Sequence, residues 1–296
     1  MKQRIRPWAV LIYTFMFLFV LACLLPMINV LALSFNDALD SRRGGFLLFP
    51  RVFSLGNYRR IFKFQNLGTA FLISIFRTVV GIMLSLVFNS MYAYALSKKH
   101  LIARRFIHWY TIIPMYFGAG LIPYYLVLNG LKLTNTLWVY VLPGAVAPFY
   151  IIVLRTFLRG IPDSIEESAK LDGAGYFRLF TSLIIPLSLP VMATVALFTG
   201  VGQWNDWFTA TAFIFSDKLW PLQNLLRYVL SIAQFKESQN LLDASQQLMI
   251  STSSNDVTAE SLKMSMIVIT MAPILCIYPF MQRYFIAGIS VGSLKE

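Results

Sequence analysis

Long uncharged, apolar runs alternate with short polar segments along most of this chain. Read between charged side chains, the runs cover 7–36, 78–97, 106–131, 133–154, 179–205 and 264–282. A helix needs roughly 20 apolar residues to cross the hydrocarbon layer of a bilayer, and each run is about that long or longer. Backbone in hydrocarbon must satisfy its own hydrogen bonds, and the runs lack the short alternation of a membrane barrel. The pattern predicts an all-α membrane protein with six transmembrane helices in a single domain, 1–296. The spans fall at about 8–34, 69–97, 106–128, 137–158, 182–204 and 264–284.

Within that frame, Pro114 and Pro123 predict kinks in the third span, and Pro143 and Pro148 predict them in the fourth. Asn129-Gly130 is the expected break between those two spans. The apolar stretch from Leu183 to Phe215 is too long for one straight crossing, about 50 Å as a continuous helix. Gly200 and Gly202, followed by "QWNDWF", predict a break near its outer end. In the last outer segment, 216–263, Leu222, Leu225, Leu226, Val229 and Leu230 share one helical face. A helix lying on the membrane surface is expected there, and another beside Arg59, Arg60 and Lys63.

Composition agrees with the spans. Only 13% of the 296 residues are charged, about half of what covers a soluble domain. Lys2, Arg4 and Arg6 begin the chain like a secretory signal, but Pro7 to Asn36 is uncharged throughout. A signal's apolar core is only about 7–15 residues, so a retained first span is expected. Cys23 and Cys276 sit inside apolar runs and read as small hydrophobes. His100 and His108 have no acidic or thiol cluster nearby in sequence, so no metal site is expected. The net charge of +12 suits anionic lipid head groups rather than nucleic acid. Lys and Arg number 13 in the segments on the N-terminal side of the membrane and 11 on the other, so charge alone decides orientation weakly.

The segment "GIPDSIEESAKLDGAGYFRLF" (160–180) is charged and glycine-punctuated between two spans. Ser164 with Glu167, or Asp163 with Glu166, forms a capping-box pattern. A helix of about two turns should run to Asp172 and stop at Gly173 in a left-handed conformation. A second helix should restart near Tyr176 and lead into the fifth span at Pro186. Alone, this is an ordinary capped loop helix.

Its extent changes that reading. Glu167-Ser168-Ala169, Gly173 six residues after the Glu, and Ile185-Pro186 resemble the EAA signature of permease subunits in binding-protein-dependent ABC importers. The departures are Ser168 for the first Ala, Leu183 for Ile and Ile185 for Leu. "LDGAG", "AYALSKK", "QWNDWF" and "QRYFIAGISVG" are similar to the carbohydrate-uptake branch, and the resemblance runs from Asn57 onward. It implies the type I importer architecture, with the 160–181 loop carrying a cytoplasmic coupling helix. Glu166, Glu167, Ala169, Leu171, Asp172 and Gly173 would dock on the ATPase. Implied partners are a dimer of cytoplasmic ATP-binding subunits, a homologous second permease, an extracellular or periplasmic solute-binding protein, a sugar or oligosaccharide, and membrane lipid. The implied location is the bacterial inner membrane, multi-pass, with both termini cytoplasmic. This chain would bind no cofactor and would not be an enzyme; ATP and Mg would belong to the ATPase. No glycine is followed by Lys, so the phosphate-cradling loop of an ATPase is absent.

Candidate path residues are Arg77, Tyr116, Tyr124, Gln203, Trp204, Asn205, Asp206 and Trp207. Arg77, a charge within a span, either lines a polar path or snorkels to head groups. Gln203 to Trp207 combine flat rings for sugar C–H faces with amides and a carboxylate for hydroxyls, or form an interfacial aromatic anchor. The 236–262 segment is a candidate docking surface for the binding protein. Alternatives are an ABC permease for a non-carbohydrate solute and an ion-coupled carrier, which predicts paired intramembrane charges.

Overall fold

The computed structural model describes residues 7–41, 43–63, 66–231 and 259–293, with side chains of the last helix described over 261–279. The N-terminal basic residues and most of the 236–262 segment lie outside the described residues. The described residues are helical, with α1 (Pro7–Ser34), α2 (Ala38–Ser41), α3 (Gly56–Phe62), α4 (Leu67–Ser97), α5 (Arg104–Ile112), α6 (Leu121–Gly130), α7 (Pro148–Leu158) and α8 (Asp163–Leu171). Then come α9 (Tyr176–Leu179), α10 (Ile185–Leu187), α11 (Leu189–Asn205), α12 (Phe208–Phe213), α13 over 222–231, and α14 (Ala259–Ser293). Long, continuous helices apolar enough to cross a membrane are Trp8–Ser34, Leu67–Ser97 and Ser261–Pro279, with mean hydropathies of 2.6, 2.3 and 1.7.

Two compact units are present. In the first, drawn from Met1–Leu67 and Leu225–Pro273, the end of α1 is held by a knot of buried amides. Asn57 Nδ2 donates to the carbonyls of Ser34 and Asn36, at 3.2 and 2.9 Å. Asn36 Nδ2 donates to Asp40 and Ser41, both at 3.0 Å, and Asn36 Oδ1 accepts from Val52 N. Phe35 stacks on Phe53 above this knot. The segment that follows α1 is therefore folded, because each buried amide finds a partner.

The second unit, within Gly68–Asn224 and Ile274–Glu296, contains the elements that matter for function. Its third and fourth apolar runs are not continuous helices. The third breaks after Ile112 into a short 3-10 turn at Ile113–Met115 and resumes as α6. The fourth begins as a 3-10 turn at Leu137–Tyr140 and becomes α-helical only at Pro148. Proline at the first helical position is preorganised to start a helix, which is why Pro148 begins α7 rather than kinking it. Asn89, wholly buried in α4, serves the irregular stretch before α7: its Nδ2 donates to Ala145 O at 3.0 Å and its Oδ1 accepts from Ala147 N at 2.8 Å.

The fifth run bends by 79° at Ser188, between Tyr176–Leu187 and Leu189–Asn205. Pro186 and Pro190 flank that bend. The break expected near the outer end is also present, between Asn205 and Phe208 within QWNDWF, while Gly200 and Gly202 themselves lie inside α11. Gly200 instead lets α4 approach, as a Cβ there would sit 2.9 Å from Ile82 Cδ1. Asn129-Gly130 likewise closes α6, and the turn that follows uses left-handed Lys132 and Asn135.

Gly200→Val should force α4 and α11 apart and cost roughly 1–3 kcal/mol. A lowered melting midpoint in detergent, partly restored by Ile82→Ala, would bear this out; an unchanged midpoint would refute the close approach.

Candidate functional site

Two features gather the chemistry. The first is the 160–181 loop. Pro162 precedes α8, and Asp163 and Glu166 lie in its first turn. The helix ends in a Schellman closure, with Gly173 N donating to Lys170 O and Ala174 N to Ala169 O, both at 3.0 Å. Gly173 supplies the φ of +79° that this closure requires. A second helix restarts at Tyr176 as expected. The capping box does not form, because α8 has no side-chain N-cap. Its acids reach across to the end of α4 instead: Glu166 pairs with Lys98, and Asp163 with Lys99 at 2.7 Å. Pro162 occupies the N-cap position and has no side-chain acceptor, so Asp163 and Ser164 fall within the helix rather than at its cap.

Lys98 also lies 4.1 Å from the centroid of the Tyr94 ring. The hydrogen bond and charge of Lys99 hold the Asp163 carboxyl below the usual carboxylate range. A depressed carboxyl pKa means the latch contributes above the ordinary carboxylate range and fades on strong acidification. Because Glu166 turns inward to Lys98, Glu167 is the acid of that pair presented to solvent. Leu171 is 89% exposed, with Ser168 and Asp172 exposed beside it and Ala169 half-buried. Tyr176 and Phe177 add exposed rings beyond the turn.

The second feature is built around Arg77, which is 1% exposed. Snorkelling is ruled out by that burial and by its partners. Nε donates to Gln203 Oε1 at 3.2 Å, Nη1 to Asp206 O at 2.7 Å, and Nη2 to the Asp206 carboxylate. The guanidinium carbon stands 4.4 Å from the centroid of the Tyr140 ring. Gln203 Nε2 in turn donates to Tyr140 O at 3.1 Å. Asp206 ends α11, and its other carboxylate oxygen accepts from Phe208 N and Thr209 N to start α12. Gly81, one turn beyond Arg77, makes room for this: a Cβ there would lie 3.0 Å from the Gln203 side chain.

Beside the cluster is a cavity of about 290 Å³ lined by Tyr124, Tyr140, Tyr150, Gln203, Asp206 and Thr209, among others. Of the sequence-predicted path residues, Tyr124, Gln203 and Asp206 meet here, with Arg77 behind them. Trp204 is buried edge-on to Phe71. Asn205 accepts from Gln223, Trp207 packs on Phe208, and Tyr116 is 77% exposed; none of these four lines the cavity. Tyr140, Tyr150 and Thr209 were not singled out from sequence, because ordinary aromatic and hydroxyl residues in a span carry no motif. Among the described residues no group of three or more acidic, His or Cys side chains could hold a metal ion.

Asp206→Asn would strand a buried guanidinium and should cost on the order of 3 kcal/mol. Arg77→Gln should cost less, because the Asp206 side chain is 28% exposed. Melting of the purified protein tests the order, and the double variant should recover part of the loss. Equal melting of all three would refute the clamp.

The chain matches the model of the family described as binding-protein-dependent transport system inner membrane component over residues 72–291. It is 37% identical over 295 residues to the polygalacturonan/rhamnogalacturonan transport system permease protein YtcP of Bacillus subtilis (strain 168), covering 100% of both chains. It is 37% identical to Protein LplC of the same organism, covering 92% of this chain and 89% of LplC. Among solved structures, it matches a chain of a bacterial ABC transporter involved in the import of the acidic polysaccharide alginate. That match has a TM-score of 0.84, with 27% identity over 96% of this chain and 99% of the other. The family match spans most of the chain, and the α-helical architecture is that of these permeases. The chain therefore belongs to the inner membrane component family of binding-protein-dependent transport systems.

Proposed function

We propose that this chain is one of two permease subunits of an ATP-driven importer for a sugar or oligosaccharide. The observation that carries the proposal is the 160–181 loop: a short helix with a rigid glycine closure, an exposed Leu171 and an outward Glu167, tied by two ion pairs to α4. Such a loop suits docking in a cleft of an ATP-binding subunit. In this reading ATP and Mg belong to the partner, and this chain binds no cofactor and hydrolyses nothing. The loop faces the cytoplasm, both termini are cytoplasmic, and the chain crosses six times as one domain, with spans three and four broken. A solute-binding protein delivers the sugar from outside.

The cavity beside Arg77 belongs to the sugar path. Rings of Tyr124 and Tyr150 suit the C–H faces of a pyranose, while Gln203, Asp206 and Thr209 suit its hydroxyls. Relatives described by polygalacturonan/rhamnogalacturonan transport and alginate import support an acidic oligosaccharide as substrate. Because Arg77 is engaged by Asp206, it acts by holding the cavity wall. Arg77→Gln should then lower uptake of acidic and neutral oligosaccharides alike; selective loss of the acidic one would assign Arg77 to substrate recognition. The Arg77–Asp206 pair is also the paired intramembrane charge that a carrier would use. Uptake that survives an ionophore but stops on ATP depletion separates importer from carrier.

The central test is purification of the tagged chain from native membranes in mild detergent, with mass spectrometry of what accompanies it. An ATP-binding subunit and a second permease should co-purify. The Glu167→Lys/Gly173→Asp variant should lose the ATP-binding subunit and keep the permease. A chain that purifies alone, or a variant with unchanged partners, would overturn the proposal. Lys98→Glu should lower uptake while the ATP-binding subunit stays bound, and adding Glu166→Lys should restore part of it; no rescue would show that the pair does not position the loop.

A further inference from the structure

Four basic residues outside both sites stand together at α5 and the end of α7. Arg104 and His108 lie on α5, Arg155 on α7 and Arg159 at its C-cap. Arg155 Nη1 donates to a His108 ring nitrogen at 3.1 Å, which fixes the guanidinium between the helices. Its Nε is buried and has no acceptor among the described residues. The charges acting most strongly on Arg155 are those of Arg104 and Arg159, both repulsive. None of these three arginines makes an ion pair among the described residues. Elsewhere the cations next to carboxylates are used: Lys98, Lys99, Arg43, Arg51 and Arg77 all have one. The nearby acids in sequence, Asp163 and Glu166, are committed to Lys99 and Lys98.

We propose that Arg104, Arg155 and Arg159 form a binding site for the phosphate of an anionic phospholipid head group. Like charges gathered around a half-buried guanidinium, with one donor unsatisfied, carry a free-energy cost that an anion at this point offsets. Planar guanidinium groups match phosphate oxygens in geometry as well as charge. The surroundings select a lipid over a protein carboxylate or a free anion. Phe106, Trp109 and Tyr110 on the same helix are 70%, 54% and 68% exposed, and Ile102 is 89% exposed. Aromatic rings beside arginines are the composition of a membrane–water interface. By helical spacing these rings stand on the other side of α5 from Arg104 and His108, so they set the helix at interface depth, where head-group phosphates are the anions at hand. Basic pockets between spans on the cytoplasmic side are suited to such lipids. The site rests on the proposed topology only for the naming of the inner leaflet; binding itself does not depend on it.

The test uses the full transporter, purified with its partner subunits and stripped of lipid by detergent. Native mass spectrometry follows retention of added phosphatidylglycerol and phosphatidylcholine, and thermal melting follows added inorganic phosphate. Phosphatidylglycerol should be retained in preference to phosphatidylcholine. Arg104→Gln/Arg159→Gln, at positions that do not make the interhelical contact, should weaken that retention by roughly tenfold or more. Arg59→Gln/Arg60→Gln on α3 should leave it unchanged. Arg155→Lys should fall between the normal chain and Arg155→Gln.

Four results would overturn the proposal: no preference for phosphatidylglycerol, equal losses in the α3 control, arginine-dependent stabilisation by inorganic phosphate matching that by the lipid, or loss of the ATP-binding subunit with lipid retention unchanged. The third would mark a free-anion site, and the fourth a subunit contact. Lipid retention is read without transport, so this proposal and the importer assignment fail separately.

Discussion

A guanidinium taken out of water must have its donors satisfied, and the cavity region of this protein is arranged around that requirement at Arg77. Three of its nitrogens reach α11 and the residue that ends it, and the Tyr140 ring covers it. Meeting this demand fixes the last turn of α11, the start of α12 through Asp206, and the 3-10 turn at Leu137–Tyr140 through Gln203. Gly81 and Gly200 are small because helices carrying these groups must approach closely. The cavity wall is thus a by-product of burying one charge completely.

The same accounting governs the broken spans. Irregular backbone within a membrane protein is tolerated only where protein groups complete its hydrogen bonds. Asn89 does so for the stretch before α7, and Asn135 accepts from Phe215 N and Ser216 N where α12 gives way to an extended segment. These breaks shorten α6 and α7 and bring Tyr124, Tyr140 and Tyr150 to one cavity. Straight crossings would have spread those rings along separate faces.

Between the loop and the cavity runs α4. It is 31 residues long, or about 45 Å, with Arg77 in its first half and Lys98 just beyond its end. The loop is fastened to that end by Lys98 and Lys99, and the cavity wall is fastened to Arg77. A displacement of the loop therefore has a stiff route to the cavity. Two ion pairs and a left-handed glycine closure limit how far the loop can absorb the displacement by local bending.

Apolar run length, Gly173 at a helix end and the spacing around Glu167 are local properties, so the sequence by itself determined the helical membrane class, the loop with its closure, and the family. It also marked Gln203 and Asp206, because polar groups in an apolar run are conspicuous. Tertiary structure decided the rest. Whether proline starts, kinks or ends a helix depends on which neighbour supplies the missing hydrogen bond, as Asn89 does next to Pro148. The partners that Asp163 and Glu166 find are lysines more than 60 residues away, which local patterning cannot register. Arg77 shows the same limit: its charge is visible in the sequence, but its role is set by a carboxylate 129 residues distant that only folding brings to it.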